Sequence, residues 1–148
     1  MSSKVLLVNE DATMLDLLES CFDAYDCRIT RAVDGNTAIE ALEREDFDLI
    51  ITDLQMRMTS GLKVVKKAKE LRPRTTVFMV TDSDNIQNAL EGFRFGADEY
   101  LLKPFSCPLL LQRLKRKGFS PDRRTLSGKS QASQGKKVSD YFTDCKMV

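Results

Sequence analysis

Residues 47–81 read FDLIITDLQMRMTSGLKVVKKAKELRPRTTVFMVT. Two apolar runs bracket an amphipathic stretch. Phe47–Thr52 (FDLIIT) and Thr76–Val80 (TVFMV) are short, and their apolar residues follow one another instead of alternating. That pattern predicts strands buried on both faces. Between them Leu62, Val65, Ala68 and Leu71 recur at helical spacing. The helix they predict stops before Pro73, because the residue ahead of a proline avoids the helical conformation. A strand, a helix and a second two-sided strand form the repeating unit of a parallel sheet covered by helices.

The same unit repeats in both directions. Upstream, Lys4–Val8 (KVLLV) predicts a short buried strand, followed by Met14, Leu17, Leu18, Cys21 and Phe22 at helical spacing. Cys27–Ala32 (CRITRA) is a less apolar strand, which places it nearer a sheet edge. Asp34-Gly35-Asn36 opens a helix that carries Ala38, Ile39 and Leu42. Downstream, Ile86, Ala89, Leu90 and Phe93 mark a helix ended near Gly96, and Glu99–Leu102 (EYLL) is a fifth strand. Leu110, Leu111 and Leu114 mark a last helix begun at Pro108. Five β-α repeats predict an α/β fold: a flavodoxin-like, doubly wound parallel sheet of strand order 2-1-3-4-5. In such sheets function sits at the carboxyl ends of the strands, near the switch between strands 1 and 3.

Composition excludes several alternatives. The 148 residues are 42% hydrophobic and 30% charged, with a net charge of +1. That suits one domain with a real core. Polyanion binding wants a basic surplus, so no direct nucleic-acid contact is expected. Histidine is absent, so there is no Ser-His-Asp triad, no Cys-His pair and no His-ligated metal. Cys21, Cys27, Cys107 and Cys145 lack CxxC spacing and are expected to be thiols packed as small hydrophobes. No apolar run reaches membrane-spanning length and no signal-peptide pattern opens the chain, so a cytoplasmic location is expected. The dense pattern is assigned to a domain over 1–118, and 119–148 to a tail. The tail carries five Ser and two Gly, and about 120–137 is expected to be a flexible linker. Residues 1–117 carry 17 basic and 19 acidic residues, whereas the tail carries six and three. A mildly basic tail is ordinarily a solvated one.

The strand order gathers distant residues on one edge. Asn9, Glu10 and Asp11 follow strand 1, Asp53 strand 3, Thr81, Asp82 and Ser83 strand 4, and Lys103-Pro104 strand 5. Singly, Asp11 and Asp82 read as helix N-caps and Lys103 as a solvated turn residue. Together, converging carboxylates repel unless a cation offsets them. Hard oxygen ligands suit Mg²⁺, which takes one or two carboxylates and keeps its waters. A carboxylate beside Mg²⁺, an ammonium and a hydroxyl can attack a phosphoryl group.

These residues resemble the receiver domain of two-component response regulators, single-domain and CheY-like. The matching stretches are KVLLVNED, DLIITDLQMRMTSG, VFMVTDSD and GADEYLLKPF, covering about residues 3–117. The resemblance implies that Asp53 is the phosphoacceptor, taking its phosphoryl group from a histidine kinase or a phosphotransfer protein. It implies Mg²⁺ held by Glu10, Asp53 and the Gln55 backbone carbonyl, with Asn9 at the other position of the acidic pair. Thr81 would hydrogen-bond the phosphoryl oxygens, Lys103 would pair with them, and Lys103-Pro104 would be cis. Tyr100 would be the aromatic switch, turning inward as Thr81 moves. The responding surface would be helix 4, strand 5 and helix 5, open to an unidentified downstream protein or to phosphorylation-dependent homodimerisation. The resemblance implies a signalling phosphoacceptor and not an enzyme acting on a separate substrate.

The sequence departs from that pattern in places. The usual acidic pair is Asp-Asp or Glu-Asp, and here it is Asn9-Glu10. Asn9 removes a charge, Glu10 lengthens an arm, and Asp11 helps only if the register shifts by one. Arg57 stands where proline is common, and Asp82 where a small residue is usual. These departures motivate a second reading, a pseudo-receiver that binds a partner without phosphorylation. Enzymes of similar topology fit worse. NED would repel a flavin phosphate after strand 1, Gln55 stands where a haloacid-dehalogenase-like phosphatase wants its second Asp, and GxxxxGK[ST] is missing.

Overall fold

The computed structural model describes residues 2–82 and 86–125. Elements alternate throughout: β1 (Ser3–Val8), α1 (Ala12–Ser20), β2 (Cys27–Ala32), α2 (Gly35–Arg44), β3 (Leu49–Asp53), α3 (Gly61–Leu71), β4 (Thr76–Thr81), α4 (Ile86–Arg94), β5 (Glu99–Leu102) and α5 (Cys107–Arg116). The five strands form one parallel sheet of order β2-β1-β3-β4-β5. This is the expected flavodoxin-like arrangement, with the less apolar β2 at an edge.

Alternation along each strand sorts the core into two layers. Val5, Leu7, Leu49, Ile51, Phe78 and Val80 face α1 and α5. Leu6, Val8, Ile50, Val77 and Met79 face α2, α3 and α4. All of these are fully buried. Local chemistry fixes the helix starts. Asp11, Asp34, Ser60 and Ser106 each cap a helix, accepting from the backbone N–H of Thr13, Thr37, Leu62 and Leu109. The Thr37 hydrogen bonds hold the Asp34 carboxyl below its usual range. Gly96, at φ +105°, makes the turn from α4 into β5, where a side chain would be strained.

Boundaries differ from the sequence expectation in three strands and one helix, with β4 running on to Thr81. β1 begins at Ser3, and β3 runs Leu49–Asp53 instead of 47–52. Asp48 turns its carboxylate onto the Lys4 N–H at 2.8 Å, which bends the chain before β3. Asp53 still pairs with Val80, so it is the last residue of the strand. α5 begins at Cys107, one residue before Pro108.

The cysteine expectation needs correcting for two residues. Cys21 and Cys107 form a disulfide, with Cα atoms 5.4 Å apart. Cys21 ends α1 and Cys107 begins α5, two helices on the same sheet face. They lie 86 residues apart in sequence, so only the topology brings them together. Cys27 is free, and burial with the neighbouring Asp26 charge pushes its thiol up to about 11. Cys145 lies outside the described residues.

Packing continues past residue 118. Phe119 is buried in the α1–α5 core layer. Asp122 accepts from the Asp26 N–H at 2.7 Å, Arg124 donates to Ala24, and Arg123 bridges to Tyr25. The first residues assigned to the tail therefore pack on the domain. Most of the expected linker, 126–137, lies outside the described residues. Among the described residues no helix is long and apolar enough to cross a membrane.

Phe78 is fully buried on a central strand. Phe78→Ala is expected to cost about 3–5 kcal/mol of unfolding free energy, measured by urea denaturation. A loss below about 1 kcal/mol would contradict the packing described.

Candidate functional site

Parallel register brings the expected residues to one edge. Asp53 ends β3, Thr81 ends β4, and Lys103 follows β5. Val8 pairs with Thr52, so the next residues, Asn9 and Asp53, stand opposite each other across β1 and β3. Both continue the alternation of Leu7 and Ile51 and project on the α1–α5 side.

Asp53 is the centre of the cluster. It is only 5% exposed. Its Oδ2 accepts from Lys103 Nζ at 3.0 Å, and its Oδ1 accepts from the Gln55 N–H at 3.0 Å. Burying a carboxylate costs several kcal/mol unless it is paired and hydrogen-bonded. Lys103 and the Gln55 amide meet both conditions. The reach of Lys103 across β4 is set by pairing of Thr81 with Leu102 and by the Lys103 N–H bond to the Thr81 carbonyl at 2.8 Å. The Lys103-Pro104 peptide is cis.

Thr81 is fully buried, and its hydroxyl donates to the Asp82 carbonyl at 3.2 Å. Its hydroxyl is thus engaged locally, at the end of the strand beside Asp53. Ser83 lies outside the described residues. Tyr100 is half-buried and packs edge-to-face on Phe93, ring centroids 6.0 Å apart. Its carbonyl accepts from Arg113 at 3.3 Å, tying β5 to α5.

The residues after β1 separate into three roles. Asp11 is exposed and caps α1, the plainer of the readings its sequence position allowed. Asn9 is buried, and its Oδ1 accepts from the Asp11 N–H at 2.9 Å. That bond fixes the amide orientation and leaves Asn9 Nδ2 a buried donor with no hydrogen-bond partner. Among the described residues Glu10 is held by Arg57 alone. Its Oε2 accepts from the Arg57 N–H at 2.9 Å, and its Oε1 lies 3.7 Å from Arg57 Nε.

This contact also anchors the loop between β3 and α3. Thr59 is buried and donates to Asn36 Oδ1 at 2.8 Å, and the Gly61 N–H returns to the Leu54 carbonyl. Gly61 is required by proximity. A Cβ there would lie 2.1 Å from the Asp53 carbonyl oxygen and 2.7 Å from Leu54 Cα. Sequence reasoning missed Gly61, Thr59 and the Arg57–Glu10 contact. A glycine at the start of a helix eight residues after the key aspartate was the available signal.

The donor set is compatible with Mg²⁺. Glu10, Asp53 and the Gln55 carbonyl supply hard oxygens, and that ion needs only one or two carboxylates. Among the described residues no group of three or more acidic or cysteine side chains forms a larger cage. Asn9 Nδ2 is a donor and cannot ligate a cation, but it can hydrogen-bond an oxygen brought into the site.

Known proteins resemble this chain in sequence and in fold. Residues 5–115 match the response regulator receiver domain family. The chain is 32% identical over 113 residues to the transcriptional regulatory protein ResD of Bacillus subtilis, covering 76% of this chain and 47% of ResD. It is 35% identical over 121 residues to the transcriptional regulatory protein CiaR of Streptococcus pneumoniae, covering 78% and 53%. The chain thus spans about half the length of these curated relatives. The crystal structure of a CheY-like response regulator receiver domain protein from Methanospirillum hungatei superposes with a TM-score of 0.74 at 26% identity. That match covers 79% of this chain and 94% of the other.

Gly61→Ala is expected to force the Asp53–Leu54 backbone aside and lower stability by about 1–3 kcal/mol. Thermal unfolding measures the loss, and an amide spectrum locates the shift at 53–61. An unchanged spectrum in that segment would contradict the close approach.

Proposed function

The chain belongs to the response regulator receiver domain family, and from that premise we propose that Asp53 accepts a phosphoryl group from a histidine kinase or phosphotransfer protein. The supporting observation is the buried Asp53 carboxylate clasped by Lys103 and the Gln55 amide. An Asp53 oxygen attacks phosphorus as the bond to the donor's imidazole nitrogen breaks, and the electron pair leaves with that nitrogen. The product is an aspartyl phosphate. Lys103 is already 3.0 Å from Oδ2 and pairs with the added negative charge. Mg²⁺, when bound by Glu10, Asp53 and the Gln55 carbonyl, supplies positive charge to the transferred oxygens. The buried Asn9 amide is a ready donor for a further oxygen.

The output follows from Thr81. Its hydroxyl leaves the Asp82 carbonyl for a phosphoryl oxygen, which draws the end of β4 inward. Tyr100, packed on Phe93, then changes position and with it the α4-β5-α5 face. This face suits a protein partner. Leu90, Phe93 and Leu102 are exposed there, beside a groove lined by Tyr100, Pro104, Leu109, Arg113 and Arg116. A second copy of the chain is the other candidate occupant of the face. The module works in the cytoplasm as a phosphoacceptor that acts on no separate substrate.

The pseudo-receiver reading has one observation in its favour: the Glu10 carboxylate is already engaged by Arg57. Intact mass after incubation with acetyl phosphate and Mg²⁺ separates the two readings. A phosphoryl adduct is expected on the wild type and none on Asp53→Asn, which keeps its folded spectrum. Absence of an adduct on both favours the pseudo-receiver. Lys103→Ala is expected to take the adduct while the amide signals of α4, β5 and α5 stay at their unphosphorylated positions. A normal shift of those signals would exclude Lys103 from the switch.

A further inference from the structure

We propose that Arg57 is a resident counter-ion for Glu10, one that a divalent metal must displace to enter the site. The inference rests on the receiver reading above and concerns how the site admits its metal. Glu10 is the sole carboxylate after β1 that is not committed to a helix cap, since Asn9 is uncharged and Asp11 caps α1. Both Glu10 oxygens face Arg57. The backbone N–H reaches Oε2 at 2.9 Å and the guanidinium reaches Oε1 at 3.7 Å. Asp53 meanwhile faces Lys103 at 3.0 Å. Glu10 and Asp53 therefore each have their own cation, and the two contact pairs sum to zero charge.

That balance has a direct consequence. A dication drawn to Glu10 and Asp53 meets two positive side chains. Lys103 is part of the Asp53 clasp and only 29% exposed, so it stays. The Arg57 side chain is 89% exposed and is otherwise free to swing into solvent. The backbone N–H on Oε2 can remain, because a carboxylate oxygen accepts a hydrogen bond and ligates a metal at once. Arg57 thus sets the threshold for metal entry without occupying the coordination sphere. The penalty is that of an exposed ion pair, which corresponds to about two- to fivefold in metal affinity.

The test is a Mg²⁺ titration of the full 148-residue chain, followed by backbone amide shifts, for the wild type, Arg57→Ala and Arg57→Lys. The exposure of Arg57 makes both variants safe for folding, and thermal unfolding checks this. Arg57→Ala is expected to bind Mg²⁺ about two- to fivefold more tightly than the wild type, while Arg57→Lys stays near it. The gap should close near 1 M KCl, where the screening length is about 3 Å. Equal or weaker binding by Arg57→Ala overturns the proposal. So does Arg57→Lys behaving like Arg57→Ala, or no Mg²⁺ binding by any of the three. The phosphoacceptor reading is judged separately, by the phosphoryl adduct on the same proteins.

Discussion

The structure is organised around one buried negative charge. Asp53 ends a central strand with 5% of its surface exposed, and an unpaired carboxylate there would cost several kcal/mol. Its counter-ion comes from Lys103, 50 residues later and two strands away. That reach exists only while β3, β4 and β5 keep their parallel register. A slip of one residue would turn Asp53 toward the other core layer and away from Lys103. The apolar layers hold the register, and the register holds the charge.

The loop after Asp53 is fastened at both ends of its course. Glu10 holds Arg57, Asn36 holds Thr59, and Gly61 closes against the Asp53 backbone. The Asp53 carboxylate is therefore presented by a fixed edge of the sheet. By contrast, Thr81 has a weak local partner in the Asp82 carbonyl, and Tyr100 is only half-buried. The tightly and the loosely fastened parts of the site are built from different elements: β3 and its loop on one side, the ends of β4 and β5 on the other.

The fold was legible because its signal is redundant. Each of the five strands is a short run with turn residues beside it, and each helix shows its own spacing, so errors of one or two residues at the ends did not alter the topology. Asp53, Thr81 and Lys103 were legible for the same reason, since strand ends in a parallel sheet must meet. What escaped was pairing between loops and between helix ends. Nothing in the spacing of Cys21 and Cys107 announces that α1 and α5 are neighbours. Arg57 read only as a residue standing where proline is common, and its contact with Glu10 depends on a loop conformation that no periodicity encodes. The buried, unpartnered Asn9 amide was invisible because it follows from the Asp11 N–H claiming Oδ1. Phe119 looked like the start of a tail because one aromatic residue carries no period.

Identification of the modified residue tests the account most directly. After treatment with acetyl phosphate, borohydride reduction converts an acyl phosphate to the corresponding alcohol. Peptide mass spectrometry then locates it. The account predicts homoserine at position 53 and at no other acidic residue. Conversion at Glu10, Asp11 or Asp82 with Asp53 unmodified would contradict it.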